Sequence, residues 1–201
     1  MTETHEIFKQ LSSTLQEVVF GQEETTNQLL IALLTGGHVI LEGVPGTGKT
    51  MMAKVLSQLI QAEFRRIQLT PDILPADILG TNIFDLKNQE FILKKGPVFT
   101  QILLADEINR TPPKTQSALL EAMAEGQVTL DGETLLLSDL FWTIASQNLL
   151  EFEGTYPLPE AQLDRFLFKL IVDYPPAAAE RELLSSARMS QPGARGDAKR
   201  L

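Results

Sequence analysis

The 201-residue sequence predicts a three-layer α/β fold, in which a parallel five-stranded sheet is flanked by helices and carries two β-hairpin insertions. Three observations predict it. Short apolar runs, typical of buried strands, alternate along the chain with segments whose apolar residues recur every three or four positions, as on one face of a helix. A glycine-rich segment follows the first apolar run directly. Two stretches of short strand-like runs enclose turn residues, which is the pattern of hairpins.

The first third of the chain predicts two helices followed by a strand, a helix and a strand. Apolar residues recur at helical spacing over residues 6–18, and a second helical segment begins after Gly21 and ends at the pair Gly36 and Gly37. The apolar run at residues 38–42 predicts a buried strand. A third helix and a second strand are then predicted at residues 49–62 and 66–69.

The remainder predicts three more strands, one long helix and both hairpins. Asp131-Gly132 is typical of the tight turns that join twisted strands, so it predicts a hairpin over residues 128–137. The helix opens at Pro112-Pro113 and closes at Gly126, since proline is tolerated in a first helical turn. The other hairpin has its strands at 82–86 and 90–93, a helix or strand begins at 98–100, and the sheet strands lie at 102–105, 141–145 and 166–172.

Composition excludes several classes of function. There is no cysteine and there are only two histidines, which removes thiol nucleophiles and disulfides and disfavours zinc sites. The 26 acidic and 17 basic residues give a net charge of -9, which repels phosphate backbones, so we expect no nucleic-acid partner. The apolar runs are far shorter than the roughly 20 residues of a membrane span, and the N-terminus is polar. We expect a soluble, cytoplasmic protein without a signal peptide.

Residues 43–50, Gly-Val-Pro-Gly-Thr-Gly-Lys-Thr, fit the phosphate-binding pattern of a glycine, four residues, Gly-Lys and a Ser or Thr. The segment lies after a predicted strand and before a predicted helix, as that loop requires. Its glycines allow backbone N–H groups to approach a polyphosphate, and the helix N-terminus favours anions. Lys49 would contact the β- and γ-phosphates and Thr50 would bind Mg²⁺. The predicted nucleotide-binding residues here are Gly43, Val44, Pro45, Gly46, Thr47, Gly48, Lys49, Thr50 and Met51.

Asp106 and Glu107 follow an apolar strand, at the end of a sheet where α/β proteins bind ligands. An aspartate there can hold the Mg²⁺ shell, and the adjacent carboxylate can orient or deprotonate a water that attacks the γ-phosphate. Two acidic residues after a strand are also a common surface feature. Because consecutive strand residues point to opposite faces, only one of them faces the metal unless the strand has ended by Glu107. The guanine-reading pattern Asn-Lys-x-Asp does not occur in the sequence, which favours ATP.

Five segments together resemble the MoxR branch of the AAA+ ATPases. They are the loop at 43–50, the strand end at 104–107, and the runs at 109–116, 145–148 and 158–166. The similarity extends over about residues 6–174. It implies a P-loop NTPase core of the AAA+ type and an ATP-driven, chaperone-like factor that remodels or assembles protein clients. It also implies a homo-oligomer, usually a hexameric ring, and a possible von Willebrand factor A domain protein as partner.

The resemblance also implies roles for single residues. It gives Asp106 the Mg²⁺ and Glu107 the role of water-activating base. Asn148 resembles sensor 1, where a neutral amide can hold the attacking water without neutralising the base; the alternative is a turn-forming Asn. Arg165 resembles the arginine finger that enters a neighbouring subunit's site; an ordinary ion pair with Asp164 or Glu160 is the alternative. Arg110 ranks below it as a rival finger or an interface residue.

The two ends of the chain carry weaker predictions. Residues 19–22, with Gly21 and Gln22 as candidate nucleotide contacts, resemble the stretch that packs against adenine, although a plain turn between helices explains them nearly as well. We expect the ATPase core to comprise residues 1–184. Residues 185–201 lack a hydrophobic period, which predicts a disordered or truncated tail in place of the helical lid that the resemblance implies.

Three functions therefore compete. The first is a Mg²⁺-dependent ATPase that uses Lys49, Glu107, Asn148 and Arg165. The second is a nucleotide-gated binding or assembly module with little hydrolysis, which an absent lid favours. The third, a nucleic-acid motor or a part of a clamp loader, shares the same ATP site but is opposed by the net charge of -9.

Overall fold

A computed structural model of the chain describes residues 2–19, 21–148 and 154–174. The helices are α1 (Thr2–Val18), α2 (Glu23–Thr35), α3 (Lys49–Leu59), α4 (Pro75–Leu79), α5 (Pro113–Glu125) and α6 (Glu160–Leu163), with a 3₁₀ turn at Ile108–Arg110. The strands are β1 (Val39–Glu42), β2 (Phe64–Gln68), β3 (Gly80–Asp85), β4 (Glu90–Lys95), β5 (Ile102–Asp106), β6 (Gln127–Leu130), β7 (Glu133–Leu136), β8 (Trp142–Gln147) and β9 (Phe168–Ile171).

Five strands form one parallel sheet in the order β2-β5-β8-β1-β9, which confirms the predicted sheet. Within the sheet, the chain enters at the interior strand β1, crosses to the edge strand β2 and returns through β5 and β8. Strand β9 then pairs with the other side of β1. Strand β8 therefore lies between β1 and β5. The carboxyl ends of these three strands, which the sequence separates widely, meet at one edge of the sheet.

Helices cover both faces of the sheet, so the three-layer prediction is also confirmed. Alternate residues of the buried strands point to opposite faces. On one face, Val39 and Leu41 of β1 pack with α1, α2 and α3. On the other, Ile40 packs with α4, α5 and the hairpin formed by β6 and β7. Burial on both sides explains why β1 and β5 read as almost continuous apolar runs. Strand β8 is equally buried but also contains Thr143, Ser146 and Gln147.

Both predicted hairpins are present as separate two-stranded antiparallel sheets, β3–β4 and β6–β7. Asp131 and Gly132 have φ angles of 50° and 87°, the left-handed backbone that a tight primed turn needs. The side-chain amide of Asn82 on β3 donates to Asp131 Oδ2 at 2.7 Å, which joins the two hairpins. They form one surface on the α5 side of the molecule.

Some predictions about elements were wrong. Residues 98–100 form a turn and bend, neither a helix nor a strand, because the Thr100 hydroxyl binds the Glu63 carbonyl and the chain turns directly into β5. Helices α4 and α6 have only five and four residues, too few to show an apolar period, and were not predicted. Helix α1 begins before the predicted residue 6, since its first turn lies before the apolar pattern starts.

In the described part of the chain, the longest helices lack the length and apolarity that crossing a membrane would require. The predicted tail at residues 185–201 lies outside the described residues. So does residue 20 of the stretch compared with an adenine-binding segment.

Candidate nucleotide-binding site

A cavity of about 560 Å³ opens at the sheet edge where β1, β5 and β8 end. The loop after β1 forms one wall, and the residues at the ends of β5 and β8 form the floor. Ten of the residues predicted from sequence line it: Pro45, Gly46, Thr47, Gly48, Lys49, Thr50, Met51, Asp106, Glu107 and Asn148. The topology thus brings together three motifs that are about 40 to 100 residues apart in the chain.

The glycines of the loop serve two different purposes. Gly46 and Gly48 have φ angles of 83° and 86°, and a Cβ at either would meet nothing within 4 Å, so their backbone conformation demands glycine. Gly48 directly precedes α3, whose first turn points its N–H groups toward the cavity end of the loop. Gly43 is needed for packing, since a Cβ there would clash with the carbonyl oxygen of Val172, just past β9.

Lys49 lies across the loop. Its ammonium donates to the carbonyls of Gly43 at 2.9 Å and Val44 at 2.7 Å and to the Thr47 hydroxyl at 3.3 Å. Burial lowers the pKa of Lys49, and the negative charges of Asp106 and Glu107 oppose that shift. Gly43 and Val44 do not line the cavity themselves, so here their contribution is to hold the lysine.

Asp106 is a buried carboxylate at the last position of β5. The Ser146 hydroxyl, on the neighbouring strand β8, donates to its Oδ1 at 2.7 Å. The Arg66 guanidinium, on β2, donates from Nε to its Oδ2 at 2.7 Å. Both strands that flank β5 therefore fix the orientation of this carboxylate toward the cavity.

Glu107 lies just beyond the end of β5 in a left-handed backbone conformation, with φ 58° and ψ 51°. Because the strand ends at Asp106, the alternation of faces stops there and both carboxylates reach the same cavity. The Ser146 hydroxyl accepts a hydrogen bond from the Glu107 N–H at 3.0 Å, which supports a conformation that costs a non-glycine residue free energy. Gln68 Nε2 donates to Glu107 Oε2 at 2.8 Å, and Arg110 Nε lies 3.2 Å from the same oxygen.

Asn148 is buried at the cavity floor, one residue past β8. Its carbonyl accepts a hydrogen bond from Asn109 Nδ2 at 3.0 Å, which ties the end of β8 to the 3₁₀ turn after Glu107. Gln116 on α5 reinforces this turn by donating to the carbonyls of Ile108 and Tyr156. The predicted sensor and the predicted base are thus held by one small set of polar side chains.

The remaining predicted residues lie away from the cavity. Neither Gly21 nor Gln22 lines the cavity. Gln22 is buried elsewhere, and its side-chain amide donates to the Asp173 carbonyl at 2.7 Å. Arg165 Nη1 donates to the Leu120 carbonyl on α5 at 3.1 Å, outside the cavity of its own chain. Arg110 contacts Glu107 without lining the cavity. The roles suggested for these residues remain predictions.

The predicted site residues did not include five polar residues that line the cavity: Lys54, Arg66, Gln68, Ser146 and Gln147. Arg66 and Gln68 are alternate residues of β2 and so share a face. That alternation was visible in the sequence. The pairing of β2 with β5, which directs these side chains at Asp106 and Glu107, was not.

The residues present fit a nucleotide polyphosphate and Mg²⁺. Phosphate oxygens need hydrogen-bond donors, and the cavity offers three kinds: backbone N–H groups of the loop at residues 43–50, those of the first turn of α3, and the Lys49 ammonium. For Mg²⁺ it offers the Thr50 hydroxyl and the Asp106 carboxylate. The described residues contain no group of three or more His, Asp or Glu side chains that could hold a metal alone. That agrees with Mg²⁺, which takes one or two carboxylates and completes its shell with water and substrate phosphates.

Comparison with known protein families matches residues 38–168 to the family described as "ATPase family associated with various cellular activities (AAA)". The chain is 53% identical over 188 residues to the uncharacterised protein YeaC of Bacillus subtilis, covering 94% of this chain and 59% of that protein. It is 46% identical over 181 residues to the chaperone MoxR1 of Mycobacterium tuberculosis, covering 90% of this chain and 48% of that protein.

The fold has a close counterpart among solved structures. A crystal structure of a Cytophaga hutchinsonii protein, provisionally described as an ATPase, superposes with a TM-score of 0.82 at 46% identity and covers 94% of this chain and 56% of that one. The chain thus spans about half to three-fifths of the length of these relatives. The match over the AAA region and the identity to a MoxR protein agree with the site geometry: the chain belongs to the MoxR family of AAA+ ATPases.

Proposed function

We propose that the chain binds Mg²⁺-ATP in the cavity at the ends of β1, β5 and β8 and hydrolyses it. The observation that carries the proposal is the convergence of the residue 43–50 loop, the Asp106-Glu107 pair and Asn148 on one cavity of about 560 Å³. A cavity of this volume lies within the range of about 300–1,000 Å³ that is typical of small-molecule sites, which fits a nucleoside triphosphate. ATP hydrolysis requires hydrogen-bond donors that hold the phosphates and, next to them, carboxylates that serve the metal ion and the attacking water.

Each of these residues has a distinct part in the proposed reaction. The loop N–H groups and Lys49 bind the phosphates, for which the Lys49 ammonium exchanges its carbonyl partners for phosphate oxygens. Thr50 and Asp106 hold Mg²⁺, which neutralises phosphate charge when bound. Glu107 orients and deprotonates the water that attacks the γ-phosphate, and the Asn148 amide holds that water or the γ-phosphate. For this, the Glu107 carboxylate must turn from Gln68 and Arg110 toward the water.

Hydrolysis in this proposal needs a second copy of the chain. Arg165 lies outside the cavity of its own chain, with its guanidinium on the Leu120 carbonyl. A homo-oligomeric ring, hexameric in the family, would let Arg165 of one copy enter the site of the next and offset the charge that develops on the transferred phosphoryl group.

We further propose that the energy of hydrolysis drives chaperone-like remodelling or assembly of a protein client in the cytoplasm. One relative, 46% identical, is named as a chaperone, which supports this part of the proposal. A von Willebrand factor A domain protein is the proposed partner. The net charge of -9 argues against a nucleic-acid client.

The test is to compare ATP turnover and ATP binding in the wild type and in Glu107→Gln. The amide keeps the shape of the side chain but cannot accept a proton, so turnover should fall at least about a hundredfold while ATP still binds. Glu125→Gln, at the exposed end of α5, is the matched control and should behave like the wild type. Equal turnover in Glu107→Gln and wild type would reject Glu107 as the base. Binding without turnover in the wild type would favour the nucleotide-gated module.

A further inference from the structure

Arg66 places a cation on the carboxylate that the proposed function assigns to Mg²⁺. Its Nε donates to Asp106 Oδ2 at 2.7 Å, and its Nη2 donates to Gln68 Oε1 at 2.9 Å. The Asp106 side chain is 9% exposed, whereas that of Arg66 is 49% exposed and reaches into the cavity from the edge strand β2. A half-exposed guanidinium therefore covers an almost buried acceptor.

Both oxygens of the Asp106 carboxylate are engaged, since Ser146 occupies Oδ1. Each carboxylate oxygen has two lone pairs, so these donors do not block a metal ion or its water shell, but they compete with it for the charge of the carboxylate. Ser146 is buried and is also held by the Glu107 N–H, so its departure would disturb two hydrogen bonds. Arg66 can turn into solvent, because an exposed ion pair is weak and a guanidinium is readily hydrated at a cavity mouth. Of the two donors to Asp106, Arg66 is therefore the one that can leave the carboxylate at the lower cost in free energy.

The same arginine is linked to the proposed base. Gln68 accepts from Arg66 through Oε1 and donates to Glu107 Oε2 through Nε2. By binding Oε1 of the Gln68 amide, Arg66 also fixes the orientation of Nε2, the atom of the same amide that donates to Glu107. An Arg66 side chain that turns into solvent leaves both Asp106 and Gln68, and this removes one of the constraints that hold the Glu107 carboxylate toward β2.

We propose that Arg66 is a positioning residue that competes with Mg²⁺ for Asp106 and so sets the Mg²⁺ concentration at which the site fills. The inference rests on the proposed function, because it requires that nucleotide and Mg²⁺ bind together in this cavity. It makes a definite claim about direction: the wild type needs more Mg²⁺ than a variant without the guanidinium.

Arg65 provides a matched control. It is adjacent in sequence, its side chain is 45% exposed, and it pairs with Glu63 at 3.1 Å on the opposite face of β2. Removing Arg65 changes the net charge by the same amount as removing Arg66. It leaves the Asp106 carboxylate and its donors untouched.

The experiment uses the full chain and a fluorescent ATP analogue labelled on the ribose. The affinity for the analogue is first measured in EDTA, and Mg²⁺ is then titrated to find the midpoint of the Mg²⁺-dependent change in affinity. Arg66→Ala should lower this midpoint about three- to tenfold, as expected for removal of one half-exposed charged hydrogen bond. Arg65→Ala should keep the wild-type midpoint. Arg66→Lys, which retains the charge without the Nε geometry, should fall between the two.

The outcomes distinguish a failure of this inference from a failure of the proposed ATP-binding function. Equal Mg²⁺ midpoints in wild type and Arg66→Ala, with binding of the analogue intact, would overturn the inference alone. A loss of affinity in EDTA for Arg66→Ala would also overturn it, since Arg66 would then be a phosphate ligand. Wild-type chain that fails to bind the analogue with or without Mg²⁺ would reject the proposed function and this inference with it. Thermal unfolding of each variant confirms that the compared proteins are folded.

Discussion

Substitution of Gly43 by alanine tests why the loop at residues 43–50 begins with glycine. A Cβ at residue 43 would clash with the Val172 carbonyl oxygen and lie 3.0 Å from the carbonyl carbon, and both are backbone atoms that cannot rotate away. Relief of the clash requires the ends of β1 and β9 to separate. That separation would stretch the 2.7 Å hydrogen bond from Val172 N to the Glu42 carbonyl.

The expected loss follows from that bond. A broken hydrogen bond that leaves a buried backbone group unsatisfied costs about 1–3 kcal/mol, and the displaced packing of Val172 adds to it. We expect Gly43→Ala to lower the free energy of unfolding by about 2–4 kcal/mol. Gly46→Ala should cost only about 1–2 kcal/mol, since its Cβ meets nothing and only the left-handed backbone penalises it.

Urea unfolding followed by the fluorescence of Trp142, which lies in the core, measures both losses. The reasoning predicts that Gly43→Ala is the less stable variant by at least about 1 kcal/mol. It would be refuted if the two variants lost equal free energy, or if Gly46→Ala lost more. Either result would mean that the β1 and β9 ends move apart without cost.

Two further predictions concern other parts of the molecule. Burial lowers the pKa of His38 below its ordinary value of 6.5, so the folded state binds fewer protons than the unfolded state; stability is full above about pH 6.5 and falls as the pH drops below it. Urea midpoints from pH 5 to 7.5 should therefore show a steeper decline in wild type and in His5→Gln than in His38→Gln, and equal slopes would contradict this. Arg165→Ala should abolish turnover at every protein concentration while wild-type turnover per chain rises with concentration, as steady-state assays would show. Concentration-independent turnover that survives in Arg165→Ala would reject the intermolecular finger.

The sequence predicted well what depends on local pattern. The buried strands appeared as apolar runs because both faces of the sheet are covered, and Asp131-Gly132 marked its hairpin because few other residue pairs adopt that turn. Glycine spacing predicted the loop at residues 43–50 between a strand and a helix, and the structure has it between β1 and α3; Asp106 and Glu107 were predicted at a strand end, where β5 places them. Each of these signals lies within about ten residues of chain.

What the sequence could not predict depends on strand order. Arg66 and Gln68 enter the site only because β2 pairs with β5, and Ser146 joins Asp106 to Glu107 only because β8 inserts between β5 and β1. Whether Glu107 shares the cavity with Asp106 also depended on tertiary structure. Its left-handed backbone is supported by the Ser146 hydroxyl on another strand, and no local pattern indicates such a contact.

The most direct test of the central claim is to measure ATP affinity by calorimetry in the wild type, in Lys49→Ala and in Lys54→Ala. Both lysines line the cavity, but only the Lys49 ammonium binds the loop itself, at the Gly43 and Val44 carbonyls. If the phosphates bind at this loop, Lys49→Ala should lose about thirtyfold in affinity, the value of one charged hydrogen bond of about 2 kcal/mol. Lys54→Ala should stay within about threefold of the wild type. Equal affinities in all three proteins, or no ATP binding by the wild type, would contradict the account.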